Sequence, residues 1–340
     1  MDKALMEKTA RAMIAQGKGL LAADESSGTC EKRFKSVGVA STEENRRTYR
    51  ELLFTTPGAA EFISGVILYD ETLRQKTKDG VPFAEYLDKQ GIIPGIKVDG
   101  GTKPLALSPG ELVTEGLDGL GERLSEYFKL GARFAKWRAV ITIGPGIPSA
   151  ACMEANAHAL ARYSALCQEA SIVPIVEPEV LLDGDHTIER CYEVSEATLR
   201  TLFKELAGQR VSLEHMILKA SMVLSGNKAT NRAGVKQVAE QTLKCLKRTV
   251  PEALPGVVFL SGGQTDEEAT AHLDAMNRSG GAPWPLTYSY SRALQAAALK
   301  AWSGQAGNWK TAQQAFYHRA RMNSLASQGK WSPELEKQAA

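Results

Sequence analysis

Short apolar runs recur along the chain and alternate with longer stretches in which apolar and charged residues change places every three or four positions. The runs are Gly19–Asp24, Phe62–Tyr69, Ile92–Val98, Arg133–Ile143, Ile172–Leu182, Met216–Leu224, Val257–Gly262 and Leu286–Ser291. Several are apolar through consecutive positions, as in VILY, MIL and VVFL. That pattern suits strands buried on both faces, as in a parallel sheet covered by helices. The intervening stretches, among them ENRRTYRELLFTT, LDGLGERLSEYFKLG, ACMEANAHALARYSALCQEA, EATLRTLFKELAGQ and QVAEQTLKCLKRTV, carry an apolar stripe with charges opposite, the signature of surface helices. Eight strand–helix alternations in 340 residues predict an α/β fold of the (β/α)8 TIM-barrel type. An open doubly wound sheet is the other architecture that such alternation permits, because periodicity does not report closure. No Gly/Ser-rich or charge-run linker divides the chain, so one domain is expected over residues 1–340. Extra helices are expected at both ends: an amphipathic one ending near Gly17 and Gly19, and a mostly helical segment from Arg292 to Lys330. The last residues, from about 331 to 340, read as a solvated tail.

Composition narrows the function classes. Hydrophobic residues make up 43% and charged residues 24%, the proportions of a soluble globular protein with a sizeable core. A formal net charge of +2 supplies no global polycation, so no nucleic-acid partner is expected. Every apolar run is broken well before about 18 residues, and the N-terminus lacks the apolar stretch of a signal peptide, so no membrane association is expected either. The five cysteines are widely spaced without a C-x-x-C pair, which reads as a reduced, intracellular protein. The five histidines are scattered with no zinc-site spacing, which counts modestly against a metal since ligands can assemble from distant positions, and no cofactor is expected.

In a barrel of this kind the polar residues at the C-terminal strand ends build the site. Those ends read Asp24-Glu25-Ser26, Lys97 with Asp99, Lys136 with Arg138, Glu177 with Glu179, Lys219, Ser261-Gly262-Gly263, and Ser289-Tyr290-Ser291-Arg292. Residues two apart on a strand share a face, so Lys136 pairs with Arg138 and Glu177 with Glu179. Ionised groups converging inside a barrel are costly unless paired, and a mixed acid–base cluster there points to catalysis. Lys219 interrupts the apolar MILKASMVL; desolvation and a neighbouring cation such as Lys136 favour the neutral amine that attacks a carbonyl. The competing structural role is a lysine snorkelling to water. Glu177, within VPIVEPEVLL, stands in an apolar setting expected to raise its pKa toward that of a general acid–base group; its structural alternative is a salt bridge to Lys136 or Arg138. Ser261-Gly262-Gly263 allows backbone N–H groups to approach an anion, although such a triplet also serves as a plain turn. Ser289 and Arg292 stand at a helix N-terminus, where the helix dipole favours phosphate. Lys97 and Arg33 are available for a second phosphate.

At these residues the chain resembles class I fructose-bisphosphate aldolases, through GKGLLAADESSGT (17–29), STEENRR (41–47), FAKWRAV (134–140), PIVEPEVLLDGDH (174–186), FLSGGQ (259–264), RALQAAALKAW (292–302) and MNSLASQGK (322–330). The resemblance implies a metal-independent barrel enzyme, a cytoplasmic homotetramer that cleaves a phosphorylated sugar, fructose 1,6-bisphosphate, in glycolysis and gluconeogenesis. It further implies that Lys219 forms a Schiff base, Glu177 is the main acid–base group with Glu179 beside it, Asp24 handles the C4 hydroxyl and Lys136 assists electrostatically. Ser261, Gly262, Gly263, Ser289 and Arg292 would hold the phosphate on the dihydroxyacetone side. Ser26, Thr29, Arg33, Lys97 and Arg138 would line the remainder toward the other phosphate. Three departures stand out: Ser291 replaces the usual glycine before the last arginine, Ala220-Ser221 replaces a common Pro-Asn, and the chain ends KQAA where animal members end in a tyrosine. The alternatives are a fructose 1-phosphate-preferring aldolase, a phosphate-binding barrel isomerase, which needs no imine-forming lysine, and a non-catalytic scaffold that keeps the fold.

Overall fold

Each predicted apolar run contains a strand of the computed structural model, which describes residues 1–337. In chain order the strands are β1 (Gly19–Ala23), β2 (Ile63–Leu68), β3 (Ile93–Lys97), β4 (Thr102–Pro104), β5 (Leu112–Thr114), β6 (Phe134–Ile141), β7 (Val173–Val180), β8 (Ile217–Ala220), β9 (Val257–Phe259) and β10 (Leu286–Tyr290). Eight of them close in the order β1-β10-β9-β8-β7-β6-β3-β2, every neighbouring pair parallel, and helices return the chain between them. Closure excludes the open doubly wound sheet. The hairpin β4–β5, exposed along β4, is an addition that the sequence pattern did not announce.

The barrel interior is layered, and the layering places the site. Alternate residues of each strand face inward. At the N-terminal level these are apolar: Leu20, Ala22, Ile67, Phe134, Val173, Ile175, Ile217 and Val258 pack into one buried cluster with Met6, Ala10 and Met13. Those three residues belong to the N-terminal helix Lys3–Met13, whose apolar stripe therefore plugs the bottom of the barrel. The Phe134 ring fills the centre, and a Cβ at Gly95 would lie 2.2 Å from it. Glycine at that position is a packing requirement.

One or two inward positions further along, β3, β6, β7 and β8 turn ionic, at Lys97, Lys136, Arg138, Glu177, Glu179 and Lys219. Lys97 is in register with Lys136, and Arg138 with Glu177. Because every strand runs the same way, all these charges arrive at the same mouth of the barrel. The strands also stop short of the predicted runs: Asp24, residues 221–224 and 260–262, and Ser291 lie in the turns beyond them.

The chain end departs from the expected solvated tail. Trp331 is buried and its backbone N–H donates to Asp274 Oδ1 at 2.8 Å. Glu336, in the short helix Pro333–Glu336, accepts from Arg319 Nη1 and from the Trp331 indole N–H at 2.6 and 2.9 Å. The polar composition of PELEK concealed a counter-ion for Arg319, which is itself buried. Residues 338–340 of the expected tail lie outside the described residues.

Candidate active site

A cavity of about 560 Å³ opens at the C-terminal mouth. It is lined by Asp24, Ser26, Thr29, Arg33, Lys97, Lys136, Arg138, Glu177, Glu179, Lys219, Ser261, Gly262, Ser289 and Arg292, which gathers nearly all the candidates from seven strand ends into one place. Gly263 is not among the lining residues; it adopts φ +93° immediately after Gly262 at φ +55°, so the turn needs both glycines for its backbone. Glu25, Lys32, Ser36 and Ser291 also line the cavity, without a role assigned from the sequence. Lys32 and Ser36 follow Thr29 at helical spacing on Ser27–Lys35 and its end, a signal that could have found them.

Lys219 Nζ lies 3.0 Å from Glu177 Oε1, with both side chains about 95% buried. Lys136 Nζ lies 2.7 Å from Asp24 Oδ2 and 3.3 Å from Glu177 Oε2. Two cations and two carboxylates thus alternate in a short chain, Lys219–Glu177–Lys136–Asp24. The snorkelling alternative for Lys219 is excluded by its burial.

Burial opposes ionisation of Asp24, but the ammonium groups of Lys136, Lys219 and Lys97 outweigh it and hold the carboxyl well below the usual carboxylate range. Glu177 behaves alike: desolvation raises its pKa, while Lys136, Lys219 and Arg138 lower it further. The raised pKa expected from its apolar flanks is therefore corrected to a lowered one, because the deciding charges come from neighbouring strands. Lys136 is pushed up: burial disfavours its charge, but Asp24, Glu177 and Asp99 more than compensate.

Around this chain the other cations are held by acids. Lys97 Nζ lies 2.7 Å from Asp99 Oδ1, and the Arg138 Nε–H donates to Glu179 Oε2. Glu179 thus orients Arg138. Arg33 donates to Glu25 Oε1 and the Arg50 guanidinium forms an ion pair with Oε2, which buries the Glu25 carboxylate between two guanidinium groups. Arg292 is different: it lines the cavity and pairs with no carboxylate among the described residues. The Ser289 hydroxyl, which lines the same cavity, is buried without a hydrogen-bond partner among the described residues. A free cation, an unsatisfied hydroxyl and a positive-φ glycine turn thus meet at one cavity. Ser291, in place of the usual glycine, has φ −104°, so the position does not call for the left-handed backbone that favours glycine.

A closed barrel with an ionised cluster at its C-terminal strand ends is the arrangement of a (β/α)8 enzyme. The chain belongs to the class I fructose-bisphosphate aldolase family of lyases, which act on a phosphorylated sugar: the family model described as fructose-bisphosphate aldolase class-I matches residues 5–340. A probable fructose-bisphosphate aldolase class 1 of Xanthomonas campestris pv. campestris is 65% identical over 327 residues, 96% of this chain and 98% of that one. The cytosolic fructose-bisphosphate aldolase 4 of Arabidopsis thaliana is 52% identical over 321 residues, 94% of this chain and 82% of that one. A solved structure of fructose-bisphosphate aldolase from Plasmodium falciparum, in complex with TRAP and a small-molecule inhibitor, matches with a TM-score of 0.96 at 48% identity, covering 97% of this chain and 95% of that one. Among the described residues no helix is long and apolar enough to cross a membrane, and no group of three or more His, Cys, Asp or Glu side chains is placed to hold a metal ion.

Proposed function

We propose that the chain cleaves fructose 1,6-bisphosphate reversibly to dihydroxyacetone phosphate and glyceraldehyde 3-phosphate through an imine on Lys219, as a glycolytic and gluconeogenic enzyme. The observation that carries this reading is the buried Lys219–Glu177 contact of 3.0 Å at the floor of the cavity. Glu177, ionised by its cationic neighbours, accepts the Lys219 proton, and the free amine attacks the C2 carbonyl. The proton then returns from Glu177 to the carbinolamine hydroxyl, which leaves as water, and the C2 iminium remains. Asp24 takes the proton of the C4 hydroxyl, the C3–C4 bond breaks, and its electron pair is received by the iminium as an enamine. An iminium accepts that pair far better than a ketone, which is how the lysine lowers the barrier. Asp24 then releases its proton to solvent, and Glu177, protonated in turn from water, delivers the proton that C3 needs. Water adds to the regenerated iminium and frees dihydroxyacetone phosphate from Lys219. Lys136, between Asp24 and Glu177, keeps both carboxylates ionised and separated.

The free Arg292, the unsatisfied Ser289 hydroxyl and the Ser261-Gly262-Gly263 turn hold the dihydroxyacetone-side phosphate. Ser26, Thr29, Lys97 and Arg138 line the same cavity, with Arg33 beside Ser291, and these further cations support the bisphosphate over fructose 1-phosphate as substrate. The working form is a cytoplasmic homotetramer, which sedimentation velocity reads directly. Lys219→Ala is the test of the nucleophile: cleavage in a coupled assay should disappear while the far-UV circular dichroism stays native. A variant that still turns over would reject the assignment.

A further inference from the structure

Ser291 is the N-cap residue of the helix Arg292–Trp302, and its side chain caps nothing. A serine at this position ordinarily turns its hydroxyl back to accept from an N–H of the first turn. Here the Oγ–H instead donates to Glu25 Oε1 at 2.6 Å, and the oxygen accepts from Arg33 Nη1 at 2.9 Å and Gln295 Nε2 at 3.2 Å. The hydroxyl thus links the end of β10 to the residues after β1.

The far end of that link is rigid. The Glu25 carboxylate is buried, takes a further hydrogen bond from Gln295 Nε2 at 2.9 Å, and is held behind by Arg50 Nη2 at 2.6 Å, itself 2% exposed. Two consequences meet at the helix start. The Leu294 and Gln295 N–H groups return to the Ser291 carbonyl oxygen, while the Arg292 and Ala293 N–H groups ahead of them are left without a side-chain cap. The Arg292 guanidinium, unpaired among the described residues, and the buried, unpartnered Ser289 hydroxyl line the same cavity as Ser291. A glycine, the usual residue here in the family this chain resembles, has no hydroxyl with which to make these bonds.

We propose that the Ser291 hydroxyl is a positioning residue for phosphate binding: directed to Glu25 and Arg33 and away from its own helix, it keeps that helix start open to a phosphate monoester and fixes it against β1. It orders the site before the ligand arrives and has no part in bond making. This rests on the assignment of Ser289 and Arg292 to a phosphate site made under Proposed function.

The experiment is calorimetric titration of the free enzyme with inorganic phosphate, alongside steady-state cleavage of fructose 1,6-bisphosphate, for wild type, Ser291→Ala and Ser291→Thr. Ser291→Ala should weaken phosphate binding and raise KM about tenfold, the size of one lost hydrogen bond to a charged group, with a much smaller change in kcat. Ser291→Thr, which keeps the hydroxyl, should recover most of both. Wild-type phosphate affinity in Ser291→Ala would overturn the proposal. So would a joint loss of KM, kcat and melting temperature in Ser291→Ala that Ser291→Thr fails to restore, since that is a merely structural role. A wild-type enzyme that ignores phosphate would sink the phosphate site itself and this proposal with it. Phosphate binding needs no imine, so the calorimetry succeeds or fails independently of Lys219.

Discussion

Lys136 stands between Asp24 and Glu177 at 2.7 and 3.3 Å, and its charge is the main reason both carboxyls lie below their ordinary range against the pull of burial. Replacing it by an apolar side chain of similar length leaves two carboxylates facing each other in a desolvated site. Their pKa values must then rise, because the largest attraction that lowered them is gone while desolvation and mutual repulsion remain. Lys136→Met should therefore lose activity by about 100-fold or more at neutral pH. The acid limb of its kcat/KM profile should move to higher pH, because the carboxylates now take up protons earlier as pH falls. An unmoved acid limb would show that Lys136 does not control their ionisation. The identity of these residues was legible because an ion inside MILKASMVL or VPIVEPEVLL violates the apolar run around it. The direction of the Glu177 shift was not, because flanking residues carry its desolvation but not the Lys136, Lys219 and Arg138 charges brought to it across the barrel.

At the scale of elements, the strands do two jobs in sequence: apolar packing first, charge second. Phe134 and Lys136 face the same way on β6, the ring closing the floor above which the ammonium stands. Gly95 on β3 exists to admit that ring, since a Cβ there would lie 2.2 Å from it. Gly95→Ala should thus destabilise the fold by about 3 kcal/mol through overpacking, read as a lowered urea midpoint with unchanged slope. A variant as stable as wild type would mean that the floor can yield. All eight barrel strands were visible as apolar runs, and Arg292–Trp302 coincides with the segment RALQAAALKAW. The hairpin β4–β5 was not, because Thr102–Pro104 is exposed throughout and shows no buried face for a period-two pattern to mark. The helix Ile188–Gly208 starts before the apolar pattern picked up at 196, since its first turn is fixed by Thr187, whose hydroxyl accepts from the Arg190 N–H at 3.3 Å.

For the whole molecule, the ends of the chain brace the barrel from opposite sides. The N-terminal helix plugs the bottom with Met6, Ala10 and Met13. Near the other end, Glu336 binds Arg319, whose remaining N–H groups donate to Asp266 O, Thr270 Oγ1 and Ala293 O, joining the two helices that follow β9 and β10. These helices carry the turns assigned to one phosphate, so the chain end supports the site through packing. The last residues looked like a tail because a single counter-ion among polar neighbours leaves no periodic trace. Barrel, cluster and anion site converge on one amine. Borohydride reduction in the presence of dihydroxyacetone phosphate, followed by peptide mass mapping, tests that amine most directly. The expected result is irreversible inactivation with one reduced adduct on Lys219, equally strong in EDTA. Full activity after reduction, or an adduct on a different lysine, would contradict the account.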